Sequence, residues 1–167
     1  MRETLRIINQ LEQDGIIEKY AIGGAIAAIF YVEPFATHDV DIFFIVSSNE
    51  GLLNLSPLYS YLAGLGYEPK GKMVMIEGWP VQFLPVFNEL LSEAMANVRE
   101  VEYEGVPTRI FSPEYLIAIM LQLGRAKDYA RAEMFIAQNL CDEKKMLELI
   151  QRHGIQKQWQ ELSRRMQ

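Results

Sequence analysis

Apolar positions recur every three to four residues at the start of the chain, where Leu5, Ile8 and Leu11 share one side and Ile16 and Ile17 follow. That period predicts an amphipathic helix over residues 2–13, stopped near Asp14-Gly15. The pattern then shortens. Tyr20-Ala21-Ile22 reads as a strand running into Gly23-Gly24, and residues 25–31, small or apolar on every side, read as a largely buried helix that ends at Pro34. From Asp39 to Val46 a β-branched and aromatic run, too short for a typical helix and bounded by Ser47-Ser48-Asn49, defines the clearest strand of the chain. Ser56-Pro57 opens a helix reaching Leu65. Residues 72–76 and 80–85 form a strand pair across Glu77-Gly78-Trp79, residues 88–97 a helix, and residues 99–103 with 108–111 a small β element around Gly105. Ser112-Pro113-Glu114 starts a helix running to Leu123. Beyond it the pattern is almost wholly helical: 127–139, 142–152 with Gly154 as the stop, and a last segment to Met166.

With 167 residues the chain fits one compact unit, or one unit with a small appendage. Half of its residues are apolar and 23% are charged, which excludes a disordered chain. The net charge of -6 removes any general affinity for nucleic acid or anionic membrane, so a polyanion must be met locally or through a cation. The charge is uneven. Residues 1–124 carry 7 Lys+Arg against 16 Asp+Glu, whereas residues 125–167 carry 9 against 6, which predicts an acidic body and a basic helical tail facing a shared site. A single cysteine, Cys141, excludes a disulfide framework and a multi-cysteine zinc site. The N-terminus lacks the order of a signal peptide, and the longest apolar stretch, residues 21–32, is interrupted by glycines and too short to cross a bilayer. The expectation is a soluble, cytoplasmic protein with no membrane partner.

The chemistry concentrates in Ile22-Gly23-Gly24 and, fourteen residues on, Asp39-Val40-Asp41. On a strand, Asp39 and Asp41 project to the same side, about 6.6 Å apart along the chain. Two such carboxylates repel one another unless a cation lies between them, and hard oxygen donors at a strand end suit Mg²⁺, which takes one or two carboxylates and completes its shell with phosphate and water. Gly23 and Gly24, between a strand and a helix, allow positive φ and close backbone approach, and the helix start offers free N–H groups to a phosphate. Together these point to a metal-bound nucleotide.

Strand, Gly-Gly, helix, then Ala36-Thr37-His38-Asp39-Val40-Asp41 resembles the nucleotidyltransferase fold superfamily of DNA polymerase beta type, and within it is most similar to the bacterial minimal nucleotidyltransferases and the nucleotidyltransferase-like toxins of type IV toxin–antitoxin systems. The resemblance implies an α/β (α+β) fold, a mixed sheet flanked by helices over residues 1–111, followed by an α-helical region, 112–167, packed on it. It implies transfer of a nucleoside monophosphate from a Mg²⁺-bound nucleoside triphosphate, with Mn²⁺ as the alternative ion, to a hydroxyl of a protein, a tRNA end or a small molecule. Asp39 and Asp41 hold the metal in this scheme, Gly23, Gly24 and Thr37 position the phosphates, and Lys127 or Arg131 neutralises developing charge. A third carboxylate serves the superfamily as metal ligand and base on the strand matching Trp79–Pro85, where this chain has Gln82. An amide can face a metal but cannot take a proton. The alternative expectation is therefore a catalytically reduced member that binds nucleotide or a protein partner, such as an antitoxin, without turnover.

Several residues have simpler readings. Glu77 could substitute for the missing carboxylate or be a solvated turn residue. Lys127 and Arg131, four apart on one helix face, either meet phosphate or sit on a solvated helix start where Asp128 pairs with Arg131. His38 and His153 form no zinc pattern, Cys141 has no evident base, and Ser47-Ser48 either touches substrate or, more simply, caps a turn. Trp79 and Phe83 either stack a base or pack the hairpin, with packing favoured, and Met73, Met75, Met95, Met120 and Met134 are expected core fillers.

Overall fold

The computed structural model describes residues 1–32, 37, 39–46 and 54–167. Pro34, Ala36, His38 and Ser47-Ser48-Asn49, given roles above, lie outside the described residues. The chain runs α1 (Arg2–Gln13), β1 (Lys19–Ile22), α2 (Gly24–Ile29), β2 (Val40–Ile45), α3 (Ser56–Gly64), β3 (Pro69–Lys70), β4 (Met73–Ile76) and β5 (Trp79–Pro85). It continues α4 (Glu89–Ala96), β6 (Arg99–Tyr103), β7 (Val106–Ile110), α5 (Pro113–Leu123), α6 (Ala126–Ala137), α7 (Glu143–Arg152) and α8 (Gln156–Arg165). The strands form one seven-stranded mixed sheet in the order β3-β4-β5-β2-β1-β7-β6. The architecture is the expected α/β one, a mixed sheet with helices around it and a helical C-terminal region.

Position in the sheet follows composition. β2 is central and covered on both faces, so Val40, Ile42, Phe43 and Phe44 are all buried and the strand reads as a nearly unbroken apolar run. β6 closes one edge, and its Arg99-Glu100-Val101-Glu102-Tyr103 puts charge where an open ladder would invite pairing. The other edge, β3, escapes sequence reading because it has only two residues, one a proline without an N–H. β1 lies between β2, which it pairs antiparallel, and β7, which it pairs parallel, while β2 and β5 run parallel.

Helix α1 buries Leu5, Ile8 and Leu11 as its period predicts, and the Thr4 hydroxyl on that face donates to the Ile76 carbonyl at 3.1 Å. Helix α2 is shorter than expected, closing at Ile29 with a turn through Phe30 and Tyr31. Helix α5 is the spine of the C-terminal region. Every residue from Pro113 to Leu121 is buried, and Gly124, left-handed at φ 65°, ends it. Ser112 precedes this helix without capping it; its hydroxyl donates instead to Glu114 at 2.7 Å. One apolar cluster extends from Leu5 in α1 to Leu162 in α8, so the helical region shares its core with the sheet. Among the described residues no helix is long and apolar enough to cross a membrane.

Candidate active site

The antiparallel register of β1 on β2 sets Ile22 beside Ile42, and the Gly23 N–H donates to the Asp41 carbonyl at 2.9 Å. The glycine pair is thereby held against the start of β2. Gly23 is extended, and a Cβ there would stand 2.4 Å from the Phe43 ring. Gly24 takes φ +56°, and a Cβ there would meet Asp41 Oδ2 at 2.0 Å. Only one of the two glycines uses the left-handed region, and both clear room for side chains of β2. Gly24 itself lines the cleft described next.

Asp39 and Asp41 line a cleft of about 550 Å³ between the sheet and the helices α5 and α6. Burial, and then the neighbouring charge of Asp39, push the Asp41 carboxyl above its ordinary range; Arg125, Lys127 and Arg131 pull the other way. Parallel pairing of β2 with β5 puts Gln82 directly beside Asp41, with Leu84 beside Phe43 one step further, and all four line the cleft. The position facing the two aspartates is thus an amide. Gln82 is half-buried, and its side chain makes no hydrogen bond among the described residues.

The opposite wall carries the cations. Lys127 and Arg131 stand one turn apart on α6 and both line the cleft, joined by Arg125, a residue that spacing alone had not singled out because it precedes the helix. Asp128 is paired differently from the expectation. It is 2% exposed and accepts two hydrogen bonds from Arg125, from Nε at 2.6 Å and Nη2 at 3.1 Å, since the cap residue folds back over the first turn. Those bonds, and then the charges of Asp128, Asp41 and Asp39, raise the Arg125 pKa against the effect of burial.

The remaining wall is apolar: Leu91, Leu116, Ile119 and Met120 lie within, and Phe87 and Leu123 stand at the cleft 79% and 55% exposed. Asn88 and Gln122 meet there at 3.1 Å. No motif announces these residues, which come from the segment after β5, from α4 and from α5 and meet only in the fold.

Other candidates sit elsewhere. Thr37 lines a separate apolar depression with Met1, Phe30, Trp79 and Tyr103, and its hydroxyl lies 3.4 Å from both the carbonyl and Oδ1 of Asp39, too long for strong bonds. Glu77 occupies the β4–β5 turn at φ 50°, where it accepts from the Tyr67 hydroxyl. Phe83 is buried edge-on to Phe44, which satisfies the packing reading. The methionines divide: Met95 and Met120 are buried, Met75 is exposed. Cys141 is half-buried between α6 and α7, and burial, then Glu114, push its thiol up.

This arrangement of strands and helices recurs in solved nucleotidyltransferases. The antibiotic-resistance factor ANT(2'')-Ia is 15% identical, with 97% of this chain and 94% of that one aligned at a TM-score of 0.56. Its structure in complex with adenylyl-2''-tobramycin aligns at 0.55, also at 15% identity, over 93% of this chain and 98% of that one. A nucleotidyltransferase-like protein from Paracoccidioides brasiliensis aligns at 0.54, with 15% identity, over 81% and 74%. No protein-family model and no curated protein matches the sequence. The chain has the nucleotidyltransferase fold.

Proposed function

We propose that the cleft binds a Mg²⁺-bound nucleoside triphosphate and that the protein is a nucleotidyltransferase, moving a nucleoside monophosphate to an acceptor oxygen with release of pyrophosphate. The observation that carries this is the facing of Asp39 and Asp41 by Arg125, Lys127 and Arg131 across one cleft, in a chain of this fold.

The residues fit the ion. The donors are hard oxygens, and Asp41 carries a like-charge conflict with Asp39 that a cation relieves. Among the described residues no three or more His, Cys, Asp or Glu side chains converge, so the ion would be held by the two carboxylates Asp39 and Asp41, a number Mg²⁺ accepts when phosphates complete its shell. When bound, it supplies Lewis-acid stabilisation of the charge on the reacting phosphates. Lys127 and Arg131 bind the triphosphate and hold its developing negative charge, Gly24 leaves room for the Asp41 carboxylate, and the apolar wall excludes water from the reacting groups. The acceptor in the ordinary case is a hydroxyl, as implied by the resemblance. Gln82 supports a second reading, nucleotide binding without turnover, with a protein such as an antitoxin as partner.

Thermal melts with Mg²⁺ and each nucleoside triphosphate test the proposal. Nucleotide at a hundred times its dissociation constant adds about 2.7 kcal/mol, or about 5–10 °C in Tm for a chain of this length. The shift is expected in the wild type and absent from Asp39→Asn/Asp41→Asn. A wild type indifferent to every triphosphate would sink both readings, and release of pyrophosphate separates turnover from binding.

A further inference from the structure

A hydroxyl acceptor releases a proton as it attacks phosphorus, and a positioned base speeds that step by about 10²–10⁴-fold. The cleft offers, among its described residues, no free carboxylate, histidine or cysteine to act as a base. Among the described residues its lining contains no histidine or cysteine, and its carboxylates are Asp39, Asp41 and Asp128. The first two are the oxygens assigned to the metal. Asp128 is buried and engaged twice by Arg125. The position beside Asp41 that a base would occupy holds the Gln82 amide, whose N–H groups are uncommitted among the described residues.

Resting on the nucleotide reading above, we infer that the acceptor is an oxyanion, a phosphate monoester or a carboxylate, and that Gln82 helps to seat it. A hydroxyl ionises only far above neutral pH, as water does, whereas a phosphate monoester loses its second proton at about 6 and a carboxyl group loses its only one at about 4. Such an acceptor reaches the cleft already deprotonated. Its oxygen attacks the α-phosphorus of the triphosphate, the new P–O bond forms as the bond to the β-phosphate oxygen breaks, pyrophosphate leaves with that electron pair, and no proton has to be removed. The product is a pyrophosphate diester from a phosphate acceptor or a mixed acyl anhydride from a carboxylate. Electrostatics agree. A third carboxylate at position 82 would repel an anion arriving beside Asp39 and Asp41, whereas an amide donates to it.

The test uses the full chain, Mg²⁺ and α-labelled triphosphates with three acceptor sets: inorganic phosphate and glycerol phosphate, acetate and glycine, and the matching alcohol glycerol. Melting with a non-hydrolysable triphosphate analogue, alone and with each acceptor, reads binding independently of turnover. Label is expected on the phosphate or the carboxylate set, and which of the two is labelled identifies the acceptor class; glycerol labels at least about tenfold less, as lack of a base implies. Gln82→Asp is expected to keep the nucleotide shift and lose anionic acceptor use by about 10- to 100-fold, the worth of a hydrogen bond to a charged group, while gaining labelling of glycerol. Equal or faster labelling of glycerol by the wild type overturns the inference. So does a retained nucleotide shift with no anion either bound or labelled, which leaves nucleotide binding standing; loss of the nucleotide shift itself removes both.

Discussion

Asp41 carries a charge that its surroundings oppose. Burial and Asp39 raise its pKa above the ordinary 3.8, so the folded protein binds a proton more readily than the unfolded chain does. The penalty is absent below the ordinary value and complete above the raised one. Asp41→Asn removes it without changing shape. At neutral pH, in the absence of ligand, the variant is expected to melt about 2–4 °C higher for about 1 kcal/mol relieved. The gain should vanish as the medium is acidified well below the ordinary value, where the carboxyl is neutral in both states. Melting curves across this range check it, and a variant less stable than the wild type at neutral pH contradicts it. At this scale the sequence was informative where geometry is local. Asp39 and Asp41 share a face because strands alternate, and Lys127 and Arg131 share one because helices turn every 3.6 residues. The partner of Asp128 was not legible, since positions three before and three after are equally near on a helix and only the cap geometry chooses Arg125.

Three helices are tied together at Glu93 on α4. Its carboxylate accepts from the Tyr115 hydroxyl on α5 at 3.0 Å, meets the Arg152 guanidinium at the end of α7, and lies 2.7 Å from Nε2 of His153, whose side chain is 6% exposed. Burial alone would raise the Glu93 pKa, but the hydrogen bonds from His153 and Tyr115 and the charge of Arg152 outweigh it and hold it below the ordinary 4.5. A lowered carboxyl contributes stability that is complete above that ordinary value and is lost as pH falls through the folded one. Glu93→Ala is expected to cost about 1–3 kcal/mol at neutral pH, the loss on leaving buried partners unpaired, and to flatten the acid limb of the stability profile. Denaturant titrations at several pH values measure both, and an unchanged acid limb would remove Glu93 from this role. Element existence was largely legible from periodicity, but this junction was not, because Glu93 and His153 are 60 residues apart in sequence. The end of α2 was placed too far along and the two-residue β3 was missed for a related reason: their limits are fixed by neighbours in space, and a few residues carry too little pattern.

The molecule has one core. Because Pro113–Leu121 of α5 are buried throughout and the apolar cluster runs on into α8, residues 1–111 alone would expose the face that α5 covers. That fragment is expected to be insoluble or to melt without cooperativity, as followed by circular dichroism and calorimetry; a sharp transition would show that the sheet region folds by itself. The fold class was legible because Gly-Gly and Asp-x-Asp mark a strand, a turn and a second strand, which fixes β1 beside β2. The parallel β2–β5 pairing could be expected only from resemblance, and the apolar wall of the cleft not at all, since Phe87, Leu116 and Leu123 meet only through tertiary packing. The uneven charge acquires a temporal meaning from this arrangement. During synthesis, Asp39 and Asp41 leave the ribosome long before Arg125, Lys127 and Arg131, so the nascent chain carries its carboxylate pair with none of the opposing cations until α6 emerges. The cleft gains its second wall only when α6 has emerged, with α7 and α8 still to follow, and a chain interrupted before α6 can hold the acidic half of the site but not a ligand that needs both walls.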